Sequence, residues 1–231
     1  MAFPTQSIDF EQTSNQYATA ADSATLSVTG NLTIEAWIKP ESIVDSFYIA
    51  SKWTSVGDLR SYIFRLQPTS MDFLVSQNGA TNDSLTVAYT ASNGVWIHVA
   101  VSWTAATSVA KFYVNGSQQG TDQTGTRTAI FDSTAGFRLG AFEDGATIDG
   151  RVGLLRIWAA ARTGAEISDN KCTILGTTTN LNAEWTLDNV YTDNSGNSNT
   201  LTGVATPVFS ADVTSSCAIV SSGKNFLAFI M

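Results

Sequence analysis

The sequence is short of positive charge: 12 Lys and Arg stand against 20 Asp and Glu in 231 residues, a net charge of −8. Such a surface repels nucleic-acid phosphates and anionic lipid, so no nucleic-acid partner is expected. Charge of either sign is scarce, at 14% of residues. That is well under the roughly 25% of average soluble domains, which argues against disorder by charge repulsion. No apolar window approaches the length of a membrane-spanning helix, so no membrane insertion is expected. Only two cysteines occur, Cys172 and Cys217, with no CxxC pair, which argues against a structural zinc site. The two either close one loop of 45 residues or stay as buried thiols. Residues 1–7 lack a basic n-region and an apolar h-region, so they do not read as a secretory signal. The sequons at Asn31, Asn82 and Asn115 read as chance in a chain rich in Ser and Thr.

What the chain does have is short β-rich runs between Gly, Asn, Asp and Thr clusters. The runs Leu32–Lys39, Ser46–Lys52, Ser61–Gln67, Met71–Gln77, Ser84–Tyr89, Val95–Trp103, Val109–Val114, Gly136–Ala141, Arg151–Trp158 and Leu181–Leu187 predict strands. In the first, Ile34, Ala36 and Ile38 share one face, while Thr33, Glu35, Trp37 and Lys39 share the other. That is the period of two of a half-buried antiparallel strand. Asn115-Gly116 predicts a hairpin, because both residues tolerate positive φ. One helix is predicted, over Thr163–Asn170, where Thr163 and Glu166 have the spacing of a capping box. Many evenly spaced strands with almost no helix predict an all-β, two-sheet antiparallel sandwich.

Five segments carry a resemblance. Asn31-Leu-Thr-Ile-Glu-Ala-Trp-Ile-Lys-Pro40, Val95-Trp-Ile-His-Val-Ala-Val-Ser-Trp103 and Lys111-Phe-Tyr-Val-Asn-Gly116 resemble successive strands of laminin-G-like and pentraxin-like domains. Leu139-Gly140 followed by Asp149-Gly-Arg-Val-Gly-Leu-Leu-Arg-Ile-Trp158, and then Arg162-Thr-Gly-Ala-Glu-Ile167, continue the likeness in the same order. It covers roughly residues 7–209 and implies a jelly roll of the concanavalin A-like lectin/glucanase type over residues 1–217. The apolar tail 218–231 lies beyond it. The chain departs from the family where Asp9-Phe-Glu-Gln-Thr replaces an opening with a glycine and an acidic pair. Gly153 and Leu154 likewise replace two acids. The fold hosts lectins, adhesion modules, glycosidases and virion surface proteins, so it does not fix a function.

Glucanases of this fold carry carboxylates on one face of a strand, flanking the glycosidic bond. Glu184-Trp-Thr-Leu-Asp188 has two acids but lacks the middle one, and His98, the only histidine, sits mid-strand. Nucleophile-elbow, HExxH and Walker motifs are missing, so catalysis is not expected.

Binding is the alternative. The loop Asp188–Thr200 resembles a family loop that contributes calcium ligands. Asp193, Asn197 and Asn199 are its candidate metal ligands, since calcium takes six to eight oxygens. A solvated Asn- and Gly-rich turn is the other reading. For a glycan, an aromatic platform with nearby polar groups is needed. Trp53, Phe142 and Tyr191, with Asp144 and Asp149, are the candidates in loops. The tail, with Phe226, Leu227, Phe229 and Ile230, either adds a strand or docks on a second copy or a capsid neighbour. The expectation is a non-catalytic recognition or adhesion module for carbohydrate or a surface protein, at an extracellular or virion surface. A phage decoration or fibre protein is the alternative, and a glycoside hydrolase a distant third.

Overall fold

The computed structural model of the chain describes residues 3–143 and 146–217. Seventeen strands and one helix follow in chain order. They are β1 (Ser7–Phe10), β2 (Tyr17–Ala20), β3 (Leu32–Ser42), β4 (Phe47–Thr54), β5 (Leu59–Gln67), β6 (Ser70–Gly79), β7 (Asn82–Ala88), β8 (Ile97–Thr104) and β9 (Val109–Val114). Then come β10 (Ser117–Thr124), β11 (Phe137–Leu139), β12 (Ala141–Phe142), β13 (Ala146–Thr147), β14 (Asp149–Trp158), α1 (Gly164–Asn170), β15 (Leu181–Trp185), β16 (Thr202–Val204) and β17 (Val208–Ser210).

Two antiparallel sheets stack face to face. One runs β10-β9-β8-β3-β14-β1-β17, with β15 beside the upper half of β14, and the other runs β16-β2-β11-β4-β5-β6-β7. The core lies between them, where inward residues such as Ile34, Ala36 and Ile38 meet Tyr62, Phe64 and Phe73. Seven short or polar strands, β1, β2, β10, β12, β13, β16 and β17, were not legible locally as strands of their own. β10, SQQGTDQT, has no strand propensity and pairs only because the Asn115-Gly116 turn returns it along β9. Predicted strand bounds otherwise fall within a few residues of those seen.

The outer face of the eight-stranded sheet is not solvent. β3, expected to be half-buried, is buried on both faces because a second layer covers it. Trp37 and Leu154 pack with Cys217, and Ala100 and Tyr113 pack with Ile167 of α1. The helix opens where the capping box was expected: Thr163 Oγ1 accepts from the Glu166 N–H, and Glu166 accepts from the Thr163 N–H. Cys172 and Cys217 are joined as a disulfide, with Cα atoms 5.1 Å apart. Residues 218–231, and with them the apolar tail, lie outside the described residues.

The bridge closes a 45-residue loop. Replacing both cysteines by serine is expected to lower unfolding stability by about 2–4 kcal/mol, the range for loops of this size. Urea denaturation of wild type and variant checks this; equal midpoints would mean that the covering layer needs no covalent tie.

Candidate ligand-binding site

The one histidine and the charged groups packed around it are sealed. Arg156 on β14 is fully buried and donates from Nε to Glu184 Oε1 at 2.9 Å and from Nη1 to the Asn170 carbonyl at 3.0 Å. It also donates to the Thr173 carbonyl and faces Glu35 Oε1 at 3.3 Å. Trp158 Nε1 donates to the same Glu35 oxygen at 2.9 Å, and His98 Nε2 lies 3.4 Å from the other. Burial pushes the Glu35 carboxyl up, but His98, Arg156 and Trp158 outweigh it and hold the group at about 2. Glu184 also takes the Leu175 and Gly176 N–H groups at 3.0 and 2.7 Å. None of these side chains can reach a substrate: Glu35, His98 and Glu184 are each at most 1% exposed.

The aromatic residues proposed from sequence are each taken up by packing. Trp53 is no platform: β4 runs on to Thr54, which places the indole in the core at 3% exposure, with Arg60 over its ring. Phe142 is half-buried and stacks on Tyr48 at 5.2 Å. Tyr191 packs on Phe209, and its hydroxyl presses against Gly203. Asp149 begins β14 opposite Ser42, and Asp144 lies outside the described residues.

The proposed metal loop is closed by its own hydrogen bonds. Asp193 Oδ1 accepts the Glu184 and Ser195 N–H groups at 3.0 and 2.9 Å, and Oδ2 accepts the Asn199 N–H at 3.0 Å. Asn199 Oδ1 accepts from Ser23 and Thr25, and the Asn197 amide donates to the Leu181 and Asn182 carbonyls. Most of the oxygens a cation would need are thus already paired with donors. A different acidic group, Asp9, Glu11 and Glu41, brings its oxygens within 4.8 Å of one another. Arg151 stands beside it, 2.7 Å from Asp9 and in direct contact with Glu41, and so supplies the counter-charge itself.

One open cavity, of about 490 Å³, lies on the outer face of the eight-stranded sheet beside the start of α1. Its floor is a grid set by strand register: Ser102 and Lys111 face one another across β8 and β9, with Tyr113 and Gln118 in the next row, and Thr33 and Ala100 continue the two rows outside the lining. Its wall is residues 161–164, held down by the Arg162 N–H donating to Thr33 Oγ1 at 2.9 Å. Close approach requires two glycines. A Cβ on Gly164 would sit 2.8 Å from the Tyr113 ring, and one on Gly116, already at φ 88°, would sit 2.8 Å from Ser168. The hydroxyls of Ser102, Thr104 and Tyr113 line this space and make no hydrogen bond within the described residues. Burial pushes the Tyr113 phenol up, which keeps it a neutral donor. Sequence reasoning missed the cavity entirely.

With fold and site in view, comparison with known proteins places the chain. The family model of the concanavalin A-like lectin/glucanases superfamily matches residues 12–168, and the chain belongs to that superfamily. Among solved structures it resembles a Bacteroides ovatus protein provisionally described as carbohydrate-binding, at TM-score 0.70 and 19% identity. That match covers 90% of this chain, and the chain spans 60% of the other. It also resembles a heptameric SAP-like pentraxin of Limulus polyphemus at TM-score 0.63 and 18% identity, covering 93% of this chain and 97% of that one. At these identities the likeness is one of fold alone. No curated protein matches the sequence significantly.

Two outcomes test the structural roles assigned above. Glu35 is held at about 2 from an ordinary 4.5, so its ionised form stabilises the fold. That contribution is whole above pH of about 4.5 and is lost as the pH falls toward 2. Urea midpoints measured from pH 6 down to 2.5 should fall steeply for wild type and less steeply for Glu35→Gln; parallel curves would remove Glu35 from the account. Asp193→Ala leaves three N–H donors unpaired and is expected to cost roughly 2–3 kcal/mol. The loss should be equal in calcium and in EDTA, and a loss seen only in calcium would make Asp193 a metal ligand instead.

Proposed function

We propose that the chain is a non-catalytic recognition module that binds a saccharide in the cavity between β8, β9 and the start of α1. The observation that carries this reading is the cavity floor: three hydroxyls, on Ser102, Thr104 and Tyr113, that have no partner among the described residues. Unpaired hydroxyls in a concave, partly apolar wall are what a polyhydroxylated ligand needs, and the volume lies within the 300–1,000 Å³ usual for small-ligand sites. No carboxylate lines the cavity, so it offers no acid–base pair for cleaving a glycosidic bond. The disulfide fits work in an oxidising setting outside the cytosol, where such bonds persist. The sandwich shared with a protein provisionally described as carbohydrate-binding supports the same reading.

Titration of neutral and acidic oligosaccharides by calorimetry, with product analysis after long incubation, tests it. The expected result is saturable binding without hydrolysis. Thr104→Val and Tyr113→Phe should each weaken binding roughly five- to tenfold, the worth of one hydrogen bond to ligand. Binding undiminished in both variants would place the ligand elsewhere, and turnover would overturn the non-catalytic assignment.

A further inference from the structure

Resting on the reading of this cavity as a saccharide site, we propose that its saccharide is acidic, with a carboxylate or sulfate held at Arg162 and a second positive charge supplied by Lys111. In a chain with so few cations, two stand in the wall of this cavity and no carboxylate does.

Arg162 is the less committed of the two. Most of the basic side chains described here are paired with a carboxylate, as in Lys39–Asp212, Lys52–Asp22, Arg65–Asp72 and Arg127–Asp83. Among the described residues Arg162 makes no such ion pair. The acid nearest in sequence, Glu166, is taken up by the helix cap, where its carboxylate accepts the Thr163 N–H and hydroxyl at 2.8 and 2.9 Å. The guanidinium carbon instead lies 3.9 Å from the Trp158 ring centroid; the group's one hydrogen bond is a long one, 3.5 Å, to the Glu166 carbonyl, and its buried Nε has no acceptor among the described residues. A guanidinium braced on an aromatic face, with its donors otherwise idle, is preset for the two parallel hydrogen bonds a carboxylate or sulfate accepts.

Lys111 stands at the far side of the same row. Its pair with Asp122, at 3.3 Å, joins two half-exposed side chains, and such surface pairs are weak enough to exchange for a ligand. Thr33, which anchors the Arg162 backbone, lies two strand spacings from Lys111, about 10 Å. That span fits one or two sugar rings, with the Ser102, Thr104 and Tyr113 hydroxyls between the charges. The net charge of −8 works against diffuse attraction of polyanions, so acidic sugar would be held by this local pair rather than by the field of the whole protein.

The test titrates the full chain with three probes: trigalacturonate, a sulfated galactan tetrasaccharide without carboxylate, and galactotriose. One acidic probe is expected to bind at least tenfold more tightly than galactotriose, and which of the two does so names the anion. Arg162→Gln and Lys111→Gln should each erase most of that preference, whereas Lys111→Arg keeps it and Thr104→Val weakens all probes alike. Should Arg162→Gln fold poorly because Trp158 is uncovered, Lys111→Gln carries the test alone. Galactotriose bound as tightly as both acidic probes would overturn this inference and leave the saccharide reading standing. No binding of any probe by the wild type would overturn both.

Discussion

A buried guanidinium has five N–H donors and no way to shed its charge, so Arg156 must be met by acceptors from every side. Those acceptors come from four different pieces of chain: Glu35 on β3, Glu184 on β15, the Asn170 carbonyl at the end of α1, and the Thr173 carbonyl after it. The demand of one side chain therefore fixes where the helix and the turn after it lie over the sheet. Glu184 extends the constraint, since its remaining lone pairs take the Leu175 and Gly176 N–H groups. Cys172 and Cys217 then tie the covering layer to the last described residues. Such a network is weak evidence for stability, because an apolar set of the same volume can do as well. Breaking one partner is what costs heavily.

The cavity is what this arrangement leaves over. α1 has only seven residues, and its one buried side chain, Ile167, packs on Ala100 and Tyr113. The helix therefore cannot cover the neighbouring row of β8 and β9, where Lys111 is half-exposed and Ser102 lies at the bottom of the cavity. The cap that starts the helix has a second effect. By drawing the Glu166 carboxylate onto Thr163, it leaves Arg162 acting on that acid only through space, without the direct i, i+4 ion pair it could otherwise form. Local helix chemistry and ligand-facing charge are thus one feature seen from two sides.

Short-range signals were the legible ones. The alternation in Leu32–Lys39, the Asn115-Gly116 turn and the Thr163–Glu166 cap each depend on residues within a few positions, and all three stand in the structure. The same alternation could not show that Thr33, Glu35 and Trp37 are also buried, because their cover comes from α1 and the segment around Cys217. Trp53 was misread for a related reason: burial of a side chain near a strand end depends on what crosses over it. Lys52, fully buried against Asp22 and two backbone carbonyls, carries no local mark at all. In the Asp193 loop, oxygen density serves a cation and a self-satisfied turn equally well in the sequence. The cavity was beyond reach because Ser102, Lys111, Gln118 and Arg162 are ordinary residues, brought together only by register and by the helix.

The direction in which Glu35 is shifted decides what that carboxylate can do in this member of a lectin and glucanase superfamily. A general acid for glycoside cleavage needs its carboxyl raised toward the working pH, by an apolar pocket or a like charge, so that it holds a proton to give. Glu35 has the apolar surroundings but also a guanidinium, an imidazole and an indole N–H, and these carry it the other way, to about 2. It is therefore ionised at neutral and mildly acidic pH. The same partners that make it useless as a proton donor make it effective as the acceptor that holds Arg156 and Trp158 in place. The cavity, by contrast, is lined by hydroxyls and two cations on the sheet, and under the saccharide reading proposed above these groups would orient and bind a ligand without moving a proton.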